Sequence, residues 1–365
     1  MSRPTQAHID LAAIRHNFHL AKRLVGGAQV LAVIKANAYG HGAVAVARAL
    51  ETQADALGVA CSEEALELRE SGIRAPIVLL EGIFEPLERQ WLDRLNLTPV
   101  VHNRQQLNWL LEARPRQPLG VWLKLNTGMH RLGLAPQQAS AAYTELSRCP
   151  HIDRVVLMTH FARADEAASA PTDAQLACFK RHCAGIAAPR SLANSAAILS
   201  RPDSHADWVR PGIMLYGLDP LDHDTPQAAD LRPALRFESA LTAVRELAVG
   251  ESIGYGGRFV CTRPTRVGVV AAGYADGYPR HAPDGTPVAV NGTRTQLIGR
   301  VSMDMLTVDL TELPQAQPGD PVELWGPQIS ATSVAAASGT ISYELLTSLS
   351  RRVPLHYYNA TAADT

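Results

Sequence analysis

Residues 30–35 read Val30-Leu31-Ala32-Val33-Ile34-Lys35: five apolar side chains in a row, then a lysine. A continuous Val/Ile/Leu run is the pattern of a parallel strand buried on both faces; a half-exposed strand alternates instead. Outward from this run the same texture recurs at 56–60, 76–80, 97–101, 119–125, 155–159, 191–193 and 206–209. Amphipathic stretches at 62–71, 105–112, 136–147 and 172–187 lie between the runs, and a helix-like stretch at 11–24 precedes them. Eight such strand–helix repeats predict an α/β fold, an N-terminal (β/α)8 TIM-type barrel. After about residue 236 short strand patterns succeed one another at 265–272, 287–290, 296–298, 306–310 and 322–325, with helical stretches only at 333–338 and 343–350. Asn291-Gly292 between two of these runs is a hairpin turn signal. The expected organisation is a barrel over 1–235, whose first nine residues pair with the second domain, a mainly β domain over 236–358, and a tail over 359–365.

The 365 residues are enough for two large domains, and 46% apolar residues support sizeable cores. Lys plus Arg number 34 and Asp plus Glu 35, a net charge of −1, so no global field draws the chain to nucleic acid or to an anionic membrane. Five cysteines without a C-x-x-C pair indicate neither a disulfide framework nor a cysteine zinc site, and His16 and His19, at i, i+3 helix spacing, have no further ligand pattern and read as a surface face. No run approaches 18 apolar residues and the first ten are polar. The expectation is a cytoplasmic protein with no membrane partner, no nucleic-acid partner and no metal.

Only four of the 34 basic residues are lysines, and two of those, Lys35 and Lys124, close or interrupt apolar runs. A lysine at the end of a buried strand is costly unless it is paired, modified or neutral. In a (β/α)8 barrel the chemistry sits at the C-terminal ends of the strands. In chain order those ends carry Lys35, then His102, Lys124 with Arg131, His160, Asn194 with Ser195, and Arg210 with Gly212 and Ile213. Ser195 reads as a helix N-cap, and Gly212-Ile213 offers further backbone amides, where this fold often binds phosphate. A phosphate site facing a strand-end lysine suits pyridoxal 5′-phosphate, whose aldehyde forms a Schiff base with lysine.

The string Ala32-Val33-Ile34-Lys35-Ala36-Asn37-Ala38-Tyr39-Gly40-His41-Gly42 closely resembles the cofactor-lysine motif of the bacterial alanine racemases, pyridoxal-phosphate enzymes of fold type III. Eight more segments resemble that family in its own order. They are Gly128–Gly133, Thr159-His160-Phe161, Asn194-Ser195, Val209–Ile213, Gly254-Tyr255-Gly256-Gly257, Gly273–Gly277, Gly299–Asp304 and Ile341–Glu344. The resemblance covers about residues 5 to 357 and implies a barrel followed by a β domain. Residue by residue it implies that Lys35 carries the cofactor and that Tyr39, Ser195, Gly212, Ile213 and Tyr343 bind its phosphate, with Asn194 beside them. It also implies that Arg210 faces the pyridine nitrogen and His160 packs by the ring. Arg131 and the backbone N–H of Met303 would meet the substrate carboxylate, and Tyr255 would be the second catalytic base. Tyr274 and Tyr343 would narrow the entrance, with Asp165, Arg280 and Arg300 in its outer polar ring. Tyr255, Tyr274 and Met303 would come from the partner subunit of a head-to-tail homodimer.

Racemisation removes the α-proton from one face and returns one on the other, which asks for two acid/base groups on opposite sides. Family members often carry Asp where this chain has Asn126 in Leu125-Asn126-Thr127. A charged Lys124 beside Arg131 would meet repulsion and a desolvation cost. Carbamylation by carbon dioxide would turn it into an anion that accepts from Arg131, and the resemblance implies the same modification. Two other readings stand beside alanine racemisation, which would supply D-alanine for peptidoglycan or degrade it: a racemase of broader amino-acid specificity, and a non-enzymatic pyridoxal-phosphate carrier.

Overall fold

The structure is a computed structural model and describes residues 3–361. Of the tail expected over 359–365, residues 362–365 lie outside the described residues, and Asn359 Nδ2 donates to Asp10 Oδ1 at 3.0 Å. The chain divides into two compact units. One comprises Ile14–Ala38 and Ala43–Arg232; the other comprises the chain up to Ala13, Tyr39–Gly42 and Pro233–Ala360.

In the first unit eight parallel strands among the described residues close into a barrel, which is the expected architecture. They are Gln29–Val33, Ala56–Val59, Ile77–Leu79, Leu97–Val101, Leu119–Lys124, Ile152–Met158, Arg190–Asn194 and Trp208–Arg210, each pairing with the next and the last with the first. Their apolar runs fall where residues are buried on both faces, as in the fully buried Ala56–Val59. Gly58 is needed there for packing: a Cβ would come within 2.7 Å of Leu31. The helices alternate with the strands as Ser62–Glu70, Arg104–Glu112, Ala139–Ser147 and Ala170–His182. Asn103 starts the second of these by accepting from Gln106 N at 2.8 Å.

The second unit is built on Leu235–Leu247, a 13-residue strand paired antiparallel with Gln6–Asp10, Thr265–Val270 and Pro321–Trp325. Leu355–Tyr358 adds a parallel strand beside Gln6–Asp10. The apolar-run pattern predicts no strand between 209 and 265, because here buried Leu235, Phe237 and Leu241 alternate with Arg236, Glu238 and Thr242 and never form a run. The Asn291-Gly292 turn joins Pro287–Val290 to Thr293–Gln296 with φ of 49° and 78°, as a tight hairpin requires. The expected strand at 296–298 ends at Gln296, and Leu297 contributes a single bridge to Val308. Phe237 packs on Trp325 at 4.7 Å between ring centres, and Tyr278 stacks on the same indole at 5.9 Å. Among the described residues no helix is long and apolar enough to cross a membrane.

Candidate active site

Lys35 stands just beyond the first barrel strand and is half-buried. The chain then makes a single left-handed turn: Ala36, Asn37, Ala38 and Tyr39 have φ of 52–53°. No glycine is among them, and each non-glycine residue in this region costs about 1–2 kcal/mol. Such strain persists only where the surroundings over-determine it, and it concentrates at functional sites. Locally, Asn37 Oδ1 accepts from Ala43 N at 2.8 Å and Ala38 N donates to Ile34 O at 2.8 Å. Below the turn, Tyr216 OH donates to Val33 O at 3.0 Å and holds the strand end.

At the same end of the barrel, Lys124 is 7% exposed. Burial pushes its amine down to about 8, and the charges of Arg210, Arg131 and Lys35 push in the same direction, while Glu81 opposes them. Arg210 is also buried, which lowers its guanidinium to about 10 and still leaves it cationic at neutrality. Arg210 donates to Ser191 Oγ at 2.6 Å, Thr159 O at 2.7 Å and Leu192 O at 3.1 Å. It also donates to His160 Nδ1 at 3.3 Å, so the remaining ring proton of His160 sits on Nε2. Burial first, then the cations Arg210, Lys124, Arg131 and Lys35, hold His160 well below its usual range and therefore neutral. The structure thus brings together five of the residues singled out at the strand ends. His102 is turned aside: its Nε2 donates to Glu81 O at 3.0 Å, and burial lowers its pKa.

The helix cap differs from the expected one. Asn194, not Ser195, caps the helix Ser195–Ser200, accepting from Ala197 N at 3.1 Å. The Ser195 hydroxyl is free of that duty and accepts from Gly212 N at 2.8 Å and Met214 N at 3.4 Å, with Ile213 fully buried between them. With both N–H groups donating to it, the hydroxyl keeps its own O–H to donate to an anion's oxygen.

Arg131 is exposed, on a loop shaped by Asn126. Asn126 Oδ1 accepts from Gly128 N at 3.3 Å and His130 N at 2.9 Å, and its amide faces His130 Nδ1 at 3.2 Å. An aspartate could accept the first two but not donate to a neutral imidazole, which gives this chain's asparagine a physical role. Sequence reasoning missed Gln175, a buried residue of the Ala170–His182 helix. Its amide donates to His160 O at 3.0 Å and Thr127 Oγ1 at 3.3 Å, and its carbonyl accepts from Ala162 N at 2.9 Å. Nothing local in the sequence marks it, because all of its partners are distant along the chain. Asp165 is also in the barrel unit, where its carbonyl accepts from Asp222 N at 3.1 Å and its charge acts on Arg163.

In the second unit Tyr39 and Tyr343 face each other with ring centres 6.0 Å apart, and burial pushes the Tyr39 phenol up to about 12. Tyr255 stands at the tip of the antiparallel pair Ser252–Ile253 and Phe259–Val260, flanked by Gly254, Gly256 and Gly257, all at positive φ. Ile253, Cys261, Val267 and Ile298 form a small core beneath it. Tyr255 itself is left 69% exposed. Tyr274 and Met303 lie on two loops tied together by Tyr274 N to Ser302 O and Ala275 N to Met303 O, both 3.0 Å. Buried Asp276 secures the first loop, accepting from Gly273 N at 2.9 Å and from both terminal nitrogens of Arg3 at 2.5 and 2.6 Å. Arg280 is exposed and Arg300 half-buried, and neither has a hydrogen-bonded side-chain partner among those described.

The family model for the alanine racemase N-terminal domain matches residues 9–220, and that for the alanine racemase C-terminal domain matches 234–357. The chain is 55% identical over 355 residues to a catabolic alanine racemase of Pseudomonas putida, covering 97% of this chain and 99% of that one. It is 50% identical to the biosynthetic alanine racemase of Pseudomonas aeruginosa, whose crystal structure it matches with a TM-score of 0.95, covering 98% of this chain and all of that one. The alanine racemase of Bartonella henselae, whose crystal structure contains covalently bound pyridoxal phosphate, matches at 32% identity and a TM-score of 0.88, over 97% and 99% of the two chains. Two family models in the right order, together spanning most of the chain, and relatives matched end to end place it without ambiguity: the chain belongs to the alanine racemase family of isomerases.

Proposed function

We propose that this alanine racemase works through pyridoxal 5′-phosphate held on Lys35, with Lys35 and Tyr255 as acid/base groups on opposite faces of the substrate. The observation that carries this reading is the cationic end of the barrel, where the charges of Lys35, Arg131 and Arg210 act on buried Lys124 and Arg210 donates to His160 Nδ1 at 3.3 Å. The residues fit the group: the Ser195 O–H, held in place by Gly212 and Met214 N–H, suits a phosphate oxygen, and Asn194, Gly212, Ile213, Tyr39 and Tyr343 complete its proposed binding set. When bound, the cofactor supplies an electron sink that makes the substrate's α-proton removable. Arg210 would face its ring nitrogen and keep its own protons, because arginine stays charged, and His160 would pack by the ring as a neutral imidazole. Arg131 and Met303 N–H would hold the substrate carboxylate. Lys35 Nζ would take or give the proton on one face and the Tyr255 phenol oxygen on the other.

Lys124 is proposed as a carbamate. A buried amine lowered to about 8 is partly neutral at physiological pH. The neutral nitrogen attacks carbon dioxide and releases a proton, leaving an anion that would accept from Arg131. We further propose a homodimer in which a second copy's Tyr255, Tyr274 and Met303 complete each site. Exposure of 69%, 37% and 53% at these residues, with Met305 at 50% nearby, supports a surface that is covered in the working enzyme. Tyr274 would narrow the entrance, with Asp165, Arg280 and Arg300 around it. The five free cysteines support a reducing compartment, in keeping with a cytoplasmic enzyme. The alanine racemase assignment sets aside the carrier reading.

The test is borohydride reduction of the purified holoenzyme, peptide mapping and a chiral assay with L-alanine. The reading expects one cofactor-labelled peptide, containing Lys35, and D-alanine formation abolished by the reduction. A label on another lysine contradicts it.

A further inference from the structure

We propose that Glu64 is a positioning residue for this reaction: its carboxylate clamps the left-handed turn that presents Lys35. Glu64 lies in the first turn of Ser62–Glu70. Its Oε2 accepts from Ala60 N at 2.7 Å, and its Oε1 accepts from Ala36 N at 2.7 Å. An acidic residue in the first turn of a helix is ordinarily explained by the helix dipole or by capping its own N-terminus. Glu63 and Glu64 both stand in that first turn. The bond to Ala60, just before the helix, fits that explanation. The bond to Ala36 does not, because Ala36 is 28 residues away, immediately after Lys35, and is the first of the four consecutive residues at positive φ.

One carboxylate therefore ties the end of the first barrel strand to the end of the second. It does so through the backbone N–H at which the chain leaves the right-handed half of conformational space. Ala36 has no side chain able to favour that conformation, and neither has Ala38; among the turn's first three residues only Asn37 tolerates it readily. Asn37 is anchored at the far side through Ala43 N. Ile34 O also accepts from Ala38 N, so three hydrogen bonds hold the turn, and the one to Glu64 is at the residue next to Lys35. Without it, Ala36 can relax to a right-handed or extended geometry, and the backbone that aims Lys35 swings with it. Small errors of aim at a reacting nitrogen are expensive: displacement by about 1 Å can cost about 100-fold in rate.

This inference rests on the reading that Lys35 carries the cofactor, and its test separates the two. Glu64→Gln keeps the shape and one acceptor but must turn an NH2 towards one of the two N–H donors; Glu64→Ala removes both acceptors. Amide exchange measured on the apoprotein should speed up about ten-fold or more in the peptide containing residues 34–39 in Glu64→Ala, and by less in Glu64→Gln, with a matching rise at Ala60, while peptides from the remaining barrel strands stay unchanged. In the holoenzyme, cofactor release should quicken, and kcat should fall about 10- to 100-fold with KM for alanine within about three-fold. The apoprotein melting temperature should move by only a few degrees. Unchanged exchange at 34–39 in both variants overturns the proposal. So does faster exchange throughout the barrel with a matching drop in melting temperature, since that describes an ordinary structural staple. If Glu64→Ala fails to fold, Glu64→Gln carries the same comparison. A borohydride label on a lysine other than Lys35 in the unaltered protein would defeat the cofactor reading and leave the exchange result to judge the clamp.

Discussion

Lys124 and Tyr255 stand at opposite extremes of exposure, 7% and 69%, although both belong to the proposed site. The barrel finishes its share internally. Arg210 has four acceptors, His160 is neutral by burial, and Gln175 braces the loop behind it. The second unit leaves its share on the surface, at a glycine-flanked hairpin tip and on two loops held by Asp276. The difference teaches where pre-organisation can be read from one chain. Groups shifted by neighbouring charge, such as Lys124 and His160, are the buried ones, whereas the proposed second base is on an exposed hairpin tip.

The largest effect that could break this contrast comes from the barrel. Lys35→Ala should lose the visible absorbance of the bound cofactor and on the order of 10,000-fold or more in racemisation, with the melting temperature of the apoprotein nearly unchanged. Retained activity would remove the barrel's claim to the chemistry. Tyr255→Phe should slow α-proton removal from L-alanine by about 100- to 10,000-fold, and from D-alanine far less, as read by proton–deuterium exchange in each direction. Equal mild effects would make Tyr255 a packing residue.

Lys124→Ala sharpens the comparison within the barrel. Activity should fall by about 100-fold and return in part with added short carboxylates, which replace the anion facing Arg131. Rescue by short amines instead would show that a bare lysine is the working form. The smallest effect concerns His160. Its folded-state pKa is depressed, so as pH falls through about 6.5 the unfolded chain takes up a proton that the folded chain refuses. Stability from this group is therefore complete above that pH and declines below it, by at most about 1.4 kcal/mol per pH unit. Urea unfolding of the protein and of His160→Gln at pH 5 and pH 7.5 should differ by this slope. Identical slopes would mean that His160 takes up its proton as readily in the fold as in the unfolded chain, against the account.

The barrel was legible because its strands are covered on both faces and therefore spell continuous apolar runs, as at Val30–Ile34. Lys35 and Lys124 were legible because a lysine ending such a run is anomalous. Leu235–Leu247 was not, since its one covered face spreads the signal over alternate positions among charged residues. The left-handed turn after Lys35 carries no glycine to announce it. Glu64 and Gln175 look like ordinary helix-surface residues until the fold brings distant backbone groups to them. The sequence does not tell the cap at Asn194 from its neighbour, because Asn and Ser are equally good caps, and only the geometry shows that Ser195 is committed elsewhere.

The central claim, that a buried barrel lysine and an exposed tyrosine of another copy share one site, is tested most directly by mixing two inactive variants. Lys35→Ala and Tyr255→Phe subunits, exchanged to equilibrium, should form mixed dimers in which one of the two sites has both groups intact. Equal mixing should then restore about one quarter of the activity of the unaltered enzyme, with subunit exchange verified by mass. Verified exchange with no recovery would contradict a site shared between copies.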